Sequence, residues 1–154
     1  MLILVDSLLR VLMTVLTLKK ANEIIHGALT KARQLNLAPL TIVVLDENGF
    51  LKAMQREDGA TILKQDIAMA KAWGAVNMGM SSRSLGVVAE QRPAFMNALV
   101  DIAKGKVMPV PGGVLIRDED KNIIGSVGVS GDISDQDERS AVAGIKDAGL
   151  IAGV

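Results

Sequence analysis

"TIVVLDENGFLKAMQ", residues 41–55, holds two strand-like runs that meet at Asn48-Gly49. That dipeptide tolerates the positive φ angles of a tight hairpin turn, so the stretch reads as two antiparallel strands. A second such unit follows in "VLIRDEDKNIIGSVGVSG", residues 114–131, with its turn at Asp118 to Asn122. Strands that arrive as hairpins, not singly between helices, make a largely antiparallel sheet with helices laid over it.

The flanking segments supply those helices. Thr17 is placed to cap a helix from about Leu18 to Leu35, in which Ala21, Ile24, Ile25, Ala28, Ala32 and Leu35 recur at helical spacing. Leu37-Ala38-Pro39 ends it. Asp58-Gly59 opens a second helical region with an apolar face through Ile62, Leu63, Ile67, Ala70 and Val76, weakened by Gly74 and Gly79 and broken in "GMSSRSLG". Pro93 suits the first turn of a short helix ending near Gly105, and a last helix runs from Ser134 to about Leu150.

The chain has 154 residues, enough for one domain with a sizeable core, and 49% of them are hydrophobic. Lys+Arg and Asp+Glu both number 17, so there is no excess of positive charge to attract nucleic acid or an anionic membrane. So much apolar side chain on a neutral molecule predicts a homo-oligomer. Cysteine and tyrosine are absent and His26 is the sole histidine, which removes disulfides, thiolate metal sites and most acid–base chemistry. The first eighteen residues, "MLILVDSLLRVLMTVL" and the following Thr17-Leu18, are apolar but too short and interrupted for a membrane span, and they lack a secretory signal's basic start. Residues 1–16 are thus read as an extension to a single domain over 17–154. It is either a helical arm with Asp6, Arg10 and Thr14 on its polar stripe, or the product of an upstream start with Met13 the natural one. A cytoplasmic location is expected.

"GSVGVSGDISDQDE", residues 125–138, places glycines in a strand and then four carboxylates in quick succession. On an uninterrupted strand Ile123, Gly125, Val127 and Val129 share one face, and Ile124, Ser126, Gly128 and Ser130 the other. Glycine there marks close approach by another backbone or by a ligand. Ser134 stands at an N-cap position, and Asp135, Asp137 and Glu138 fall where a helix dipole favours negative charge. An acid–base or metal role is the competing reading. Asp132 precedes the cap and is free to face a pocket.

Four segments together carry a family likeness: "VVLDENGFLKAMQREDGA" (43–60), "IAMAKAWGA" (67–75), "PGGVLI" (111–116) and "IIGSVGVSGDISDQDE" (123–138). In this order and spacing they resemble the GlcG/HbpS family, which includes the C-terminal domain of PduO-type proteins. The likeness spans about Leu16 to Gly149. It implies an α/β (α+β) profilin-like fold with a five-stranded, largely antiparallel sheet between helical layers, and a homo-oligomer. It also implies a mostly non-enzymatic small-molecule role. Some relatives bind haem, and others accompany glycolate, diol or glycerol utilisation. The chain departs from the family pattern at Glu57, Leu115 and Asp132, where Met, Pro and a second Gly are common.

Each candidate site residue has a plainer reading beside the functional one. His26 shares a polar helix face with Asn22, Thr30 and Arg33, so it is a solvated surface histidine or an axial ligand for haem. Met78 and Met80 are core filler or ligands. Lys71, on an apolar face, either snorkels to water or is held at a pocket for an anion. Asp58 caps the next helix or joins the pocket, and Arg56 pairs with it or grips an anion. The Gly112 and Gly113 amides are free to line a small site, although no P-loop or dinucleotide pattern accompanies them. The expected pocket lies between Arg56, Asp58, Lys71, Gly112, Gly113 and the turn formed by Gly128, Ser130, Gly131 and Asp132. Its ligand is haem or a small anionic metabolite. An enzyme using Lys71 and a carboxylate, and a structural subunit assembling through its N-terminal arm, are the alternatives.

Overall fold

The computed structural model describes residues 15–154, so the expected arm lies outside the described residues except for Val15 and Leu16. Leu16 is fully buried in the main core and therefore belongs to the body of the domain. Helix α1 (Leu18–Gln34) starts where the sequence predicts, with the Thr17 hydroxyl accepting the Lys20 N–H at 3.2 Å. Strands β1 (Thr41–Asp46) and β2 (Leu51–Arg56) form the first hairpin. Helices α2 (Ile62–Met78), α3 (Ser82–Gln91) and α4 (Pro93–Ile102) follow. Strands β3 (Gly113–Arg117) and β4 (Ile123–Ser130) form the second hairpin, then come α5 (Ser134–Asp147) and β5 (Ile151–Gly153).

The five strands make one sheet in the order β2-β1-β4-β3-β5, and every pairing is antiparallel. This is the α+β architecture that the paired hairpins predict. The last strand was not legible locally, because three residues after a helix carry no periodicity.

Helices α1 and α5 cover one face of the sheet. Ile24, Ile25, Ala28 and Ile145 pack there on Ile42, Val44, Val114, Ile116, Val127 and Val129. On the other face, Ala68, Ala72 and Val76 of α2 pack on Val43 and Leu45. A smaller cluster of Leu85, Met96, Ala103 and Val107 joins α3 and α4 to the far side of α2.

Three local expectations are corrected. The β3–β4 register shifts between Ile116 and Arg117, leaving Ile124 as an extra residue. Ile124 therefore joins the α1/α5 core and Ile123 turns toward α2, the reverse of an uninterrupted alternation. Asp58 does not cap α2, since the helix begins at Ile62 with Thr61 at its N-cap. The N-cap of α5 is Ile133, one residue before Ser134, and it makes no side-chain cap bond.

Candidate functional site

Lys71 lies on the sheet-facing side of α2, and Asp137 lies in the first turn of α5. Their side chains are 2% and 1% exposed and meet with Nζ 3.0 Å from Oδ2. The ammonium also donates to the Val129 carbonyl at 2.9 Å. The other Asp137 oxygen accepts the Asp132 N–H at 2.9 Å. Lys71 thus neither snorkels to water nor stands free in a pocket, because its charge is neutralised internally. Burial pushes the Lys71 ammonium below its ordinary value and the Asp137 carboxyl above its own, and each group opposes the other's shift.

Glycines let these elements close on one another. A side chain at Gly128 would start 1.8 Å from the Ala68 carbonyl oxygen, and one at Gly113 would start 2.3 Å from that of Lys71. At Gly131 the obstacle is the Pro39 carbonyl, at 2.4 Å. The backbone approach anticipated for β4 is therefore that of a helix. Gly112 adopts φ +120°, and a Cβ there would lie 2.8 Å from the Lys71 Nζ. Ser82, fully buried on α3, accepts the Gly113 N–H at 2.6 Å.

The remaining acids of the 125–138 stretch are also engaged. Arg83 of α3 binds Glu138 through Nε at 3.0 Å and reaches Asp135 with Nη2. Asp132 accepts the amides of Ala38 and Ile133, both at 2.8 Å. Those two amide bonds, with help from the charge of Lys64, hold its carboxyl below the usual range. Glu57 accepts the Leu40 amide at 2.7 Å and pairs with Arg33 at 3.1 Å. Glu57 and Asp132 thus satisfy the amides on either side of Pro39, which has none of its own. No group of three or more His, Asp or Glu side chains suited to a metal ion occurs among the described residues.

Of the expected pocket residues, the fold brings together Lys71, Gly112, Gly113, Gly128, Gly131 and Asp132. Ser130 is buried beside them on β4. Arg56 and Asp58 lie outside this cluster: Arg56 donates to the Ala60 carbonyl at 2.5 Å, and Asp58 is exposed. The missed partner was Asp137. Its place in a helix first turn fully accounted for a carboxylate, and nothing local pointed to a lysine 66 positions earlier.

His26 is on the other side of the molecule. It is exposed on α1 and lines an open groove of about 600 Å³ with Lys19, Asn22, Glu23, Thr30 and Asp147. The groove floor is Gly27, where α1 meets α5 so closely that a Cβ would lie 3.0 Å from the Gly144 Cα. Met78 and Met80, by contrast, pack into the α3–α4 cluster.

Residues 16–146 match the model of a family described as haem degrading protein HbpS-like. The chain is 29% identical over 122 residues to the corrinoid adenosyltransferase PduO of Citrobacter freundii, covering 79% of this chain and 36% of PduO. It therefore spans about a third of that relative's length. An uncharacterised 15.0 kDa protein from the dhaT–dhaS intergenic region of Citrobacter freundii is 30% identical, over 79% of this chain and 84% of that protein. Among solved structures, PduOC in complex with haem superposes with a TM-score of 0.79 at 26% identity, covering 88% of this chain and 96% of the other. A double mutant of HbpS from Streptomyces reticuli gives 0.75 at 28% identity, with 86% of each chain covered.

Proposed function

The chain belongs to the HbpS-like family, and on that premise we propose that it is a non-enzymatic haem-binding accessory protein with His26 as the axial ligand. The observation that carries this reading is the setting of the sole histidine, exposed in an open groove of about 600 Å³. Its volume lies within the usual range for small-molecule sites. With Cys and Tyr absent and Met78 and Met80 half-buried against the α3–α4 cluster, His26 is the imidazole that the chain offers an iron. Of the other lining residues, Lys19 offers an ammonium to a propionate and Asn22 and Thr30 offer neutral hydrogen bonds, while the Glu23 and Asp147 carboxylates oblige the propionates to point toward Lys19. Bound haem supplies an iron that takes an imidazole nitrogen and a strong visible absorption that reports on it.

The similarity to PduOC crystallised with haem supports the same ligand class. A cytoplasmic homo-oligomer belongs to this reading. The enzyme alternative gains little, because the Lys71 ammonium is committed to Asp137 and to a backbone carbonyl.

The test is a haemin titration of the full chain, followed at the Soret band, beside His26→Ala. The expected result is a saturable, stoichiometric shift in the parent protein that the variant loses while keeping its far-UV circular dichroism. A parent protein that leaves the haemin spectrum unchanged would end the haem reading. A shift that His26→Ala leaves intact would move the ligand off α1.

A further inference from the structure

Thr41 carries a hydroxyl that is wholly buried and, among the described residues, has no hydrogen-bond partner. A buried polar group left unpaired costs stability, so it calls for an explanation. Register shows which face of the sheet it is on. Thr41 shares a strand face with Val43 and Leu45, which pack against α2. Its cross-strand neighbours are Arg56 on β2 and Ser130 on β4. Along β4 the Ser126 hydroxyl donates to the Ala72 carbonyl, and Gly128 lies beneath Ala68. One pleat further on, Ser130 and Thr41 lie beneath the turn before Ala68, where α2 begins.

That helix start is unfinished. Thr61 makes no side-chain cap bond, and no acid occupies the first turn of this 17-residue helix. The Lys64 N–H is taken up by the Thr61 carbonyl. Ile62 and Leu63 are exposed, at 67% and 60%. A long helix gathers positive potential at such an end. Arg56 adds to it, since its Nη1 holds the Ala60 carbonyl just before the cap while the exposed guanidinium has donors to spare. Lys64 stands in the same turn. Of the nearby acids, Glu57 and Asp132 are taken by the Leu40, Ala38 and Ile133 amides, and Asp58 is exposed.

We propose that the α2 N-terminus, Arg56 and the Thr41 hydroxyl form a binding site for a small oxyanion, a carboxylate or phosphate group. Arg56 presents paired donors and the helix start presents the Ile62 and Leu63 amides. The Thr41 hydroxyl, closed to solvent in the free protein, gains the partner it lacks when its cross-strand neighbour Arg56 turns to the anion and opens the way to it. The site lies on the sheet face opposite the His26 groove, so it stands or falls independently of haem binding.

The experiment uses the full chain labelled with ¹⁵N and titrated separately with inorganic phosphate and with malonate. Saturable shifts of the Ile62 and Leu63 amides are expected with at least one probe, and the probe that succeeds assigns the class. Arg56→Gln should weaken the response about tenfold. Thr41→Val should weaken it too while raising the thermal midpoint of the free protein, since it removes an unpaired hydroxyl without changing shape. Thr41→Val decides alone if Arg56→Gln fails to fold. No saturable shift with either probe, or shifts that survive both substitutions undiminished, would overturn the proposal.

Discussion

The Lys71 ammonium and the Asp137 carboxylate meet 3.0 Å apart with essentially no solvent on either, joining the middle of α2 to the first turn of α5. The two helices lie on opposite faces of the sheet, so this pair ties the layers together past the sheet's end. Removing one partner leaves the other buried and uncompensated. Lys71→Met is therefore expected to lose about 3–5 kcal/mol in urea unfolding. Adding Asp137→Leu to that variant should restore much of the loss, because no charge is then buried. A single variant as stable as the parent would contradict the geometry.

The acid limb of the stability curve should report on Asp132. Its folded value is lowered, chiefly by the Ala38 amide and next by that of Ile133. Such a group contributes stability that is present above its unfolded value of about 3.9 and is lost as pH falls through the lowered folded value. Asp132→Asn should flatten that part of the curve in a pH series of thermal midpoints. Asp137 has the opposite sign, since a raised carboxyl contributes below its unfolded value and loses that contribution as pH rises through its folded one. An unchanged acid limb in Asp132→Asn would show that the two amide bonds are absent in solution.

Gly128→Ala should be among the most damaging of the conservative substitutions. Its new methyl would fall 1.8 Å from the Ala68 carbonyl oxygen, which is backbone and has little room to retreat. A cost at or above the upper end of the usual overpacking range, about 1–3 kcal/mol, is expected. Gly105→Ala makes the comparison, since its φ is +79° and nothing lies within 4 Å. It should cost only the backbone strain, about 1 kcal/mol. The reverse ranking in denaturant melts would mean that α2 does not press on β4.

His26→Ala should leave stability within about 0.5 kcal/mol of the parent, because the imidazole is on an exposed helix face. The same variant is expected to lose the haemin response. Finding both in one preparation separates a ligand role from a structural one. A marked loss of stability would place the side chain in a packed setting instead.

The parts of the fold written in neighbouring residues were readable before any coordinates. Asn48-Gly49 and the Asp118–Asn122 turn declare their hairpins through local turn chemistry, and Thr17 declares the start of α1. Features that depend on distant partners were not. Lys71 and Asp137 each stood out singly, and each had an adequate local account that concealed the other. The face exchange at Ile123 and Ile124 depends on a register shift against β3, which no alternation pattern encodes. Likewise, Glu57 and Asp132 looked like departures from a pattern until both proved to serve the amides flanking Pro39.

The carbonyl of Ala68 sits in the gap that Gly128 leaves, and that of Lys71 in the gap at Gly113. These two seats work as detents. A helix resting in one notch could pivot, but a helix resting in two can neither slide along the strands nor roll across them. Motion that accompanies ligand exchange is then left to elements outside this seam, the α3–α4 pair on the far side of α2 or the outer face of α1. The centre of the molecule acts as a fixed reference against which both candidate sites are held.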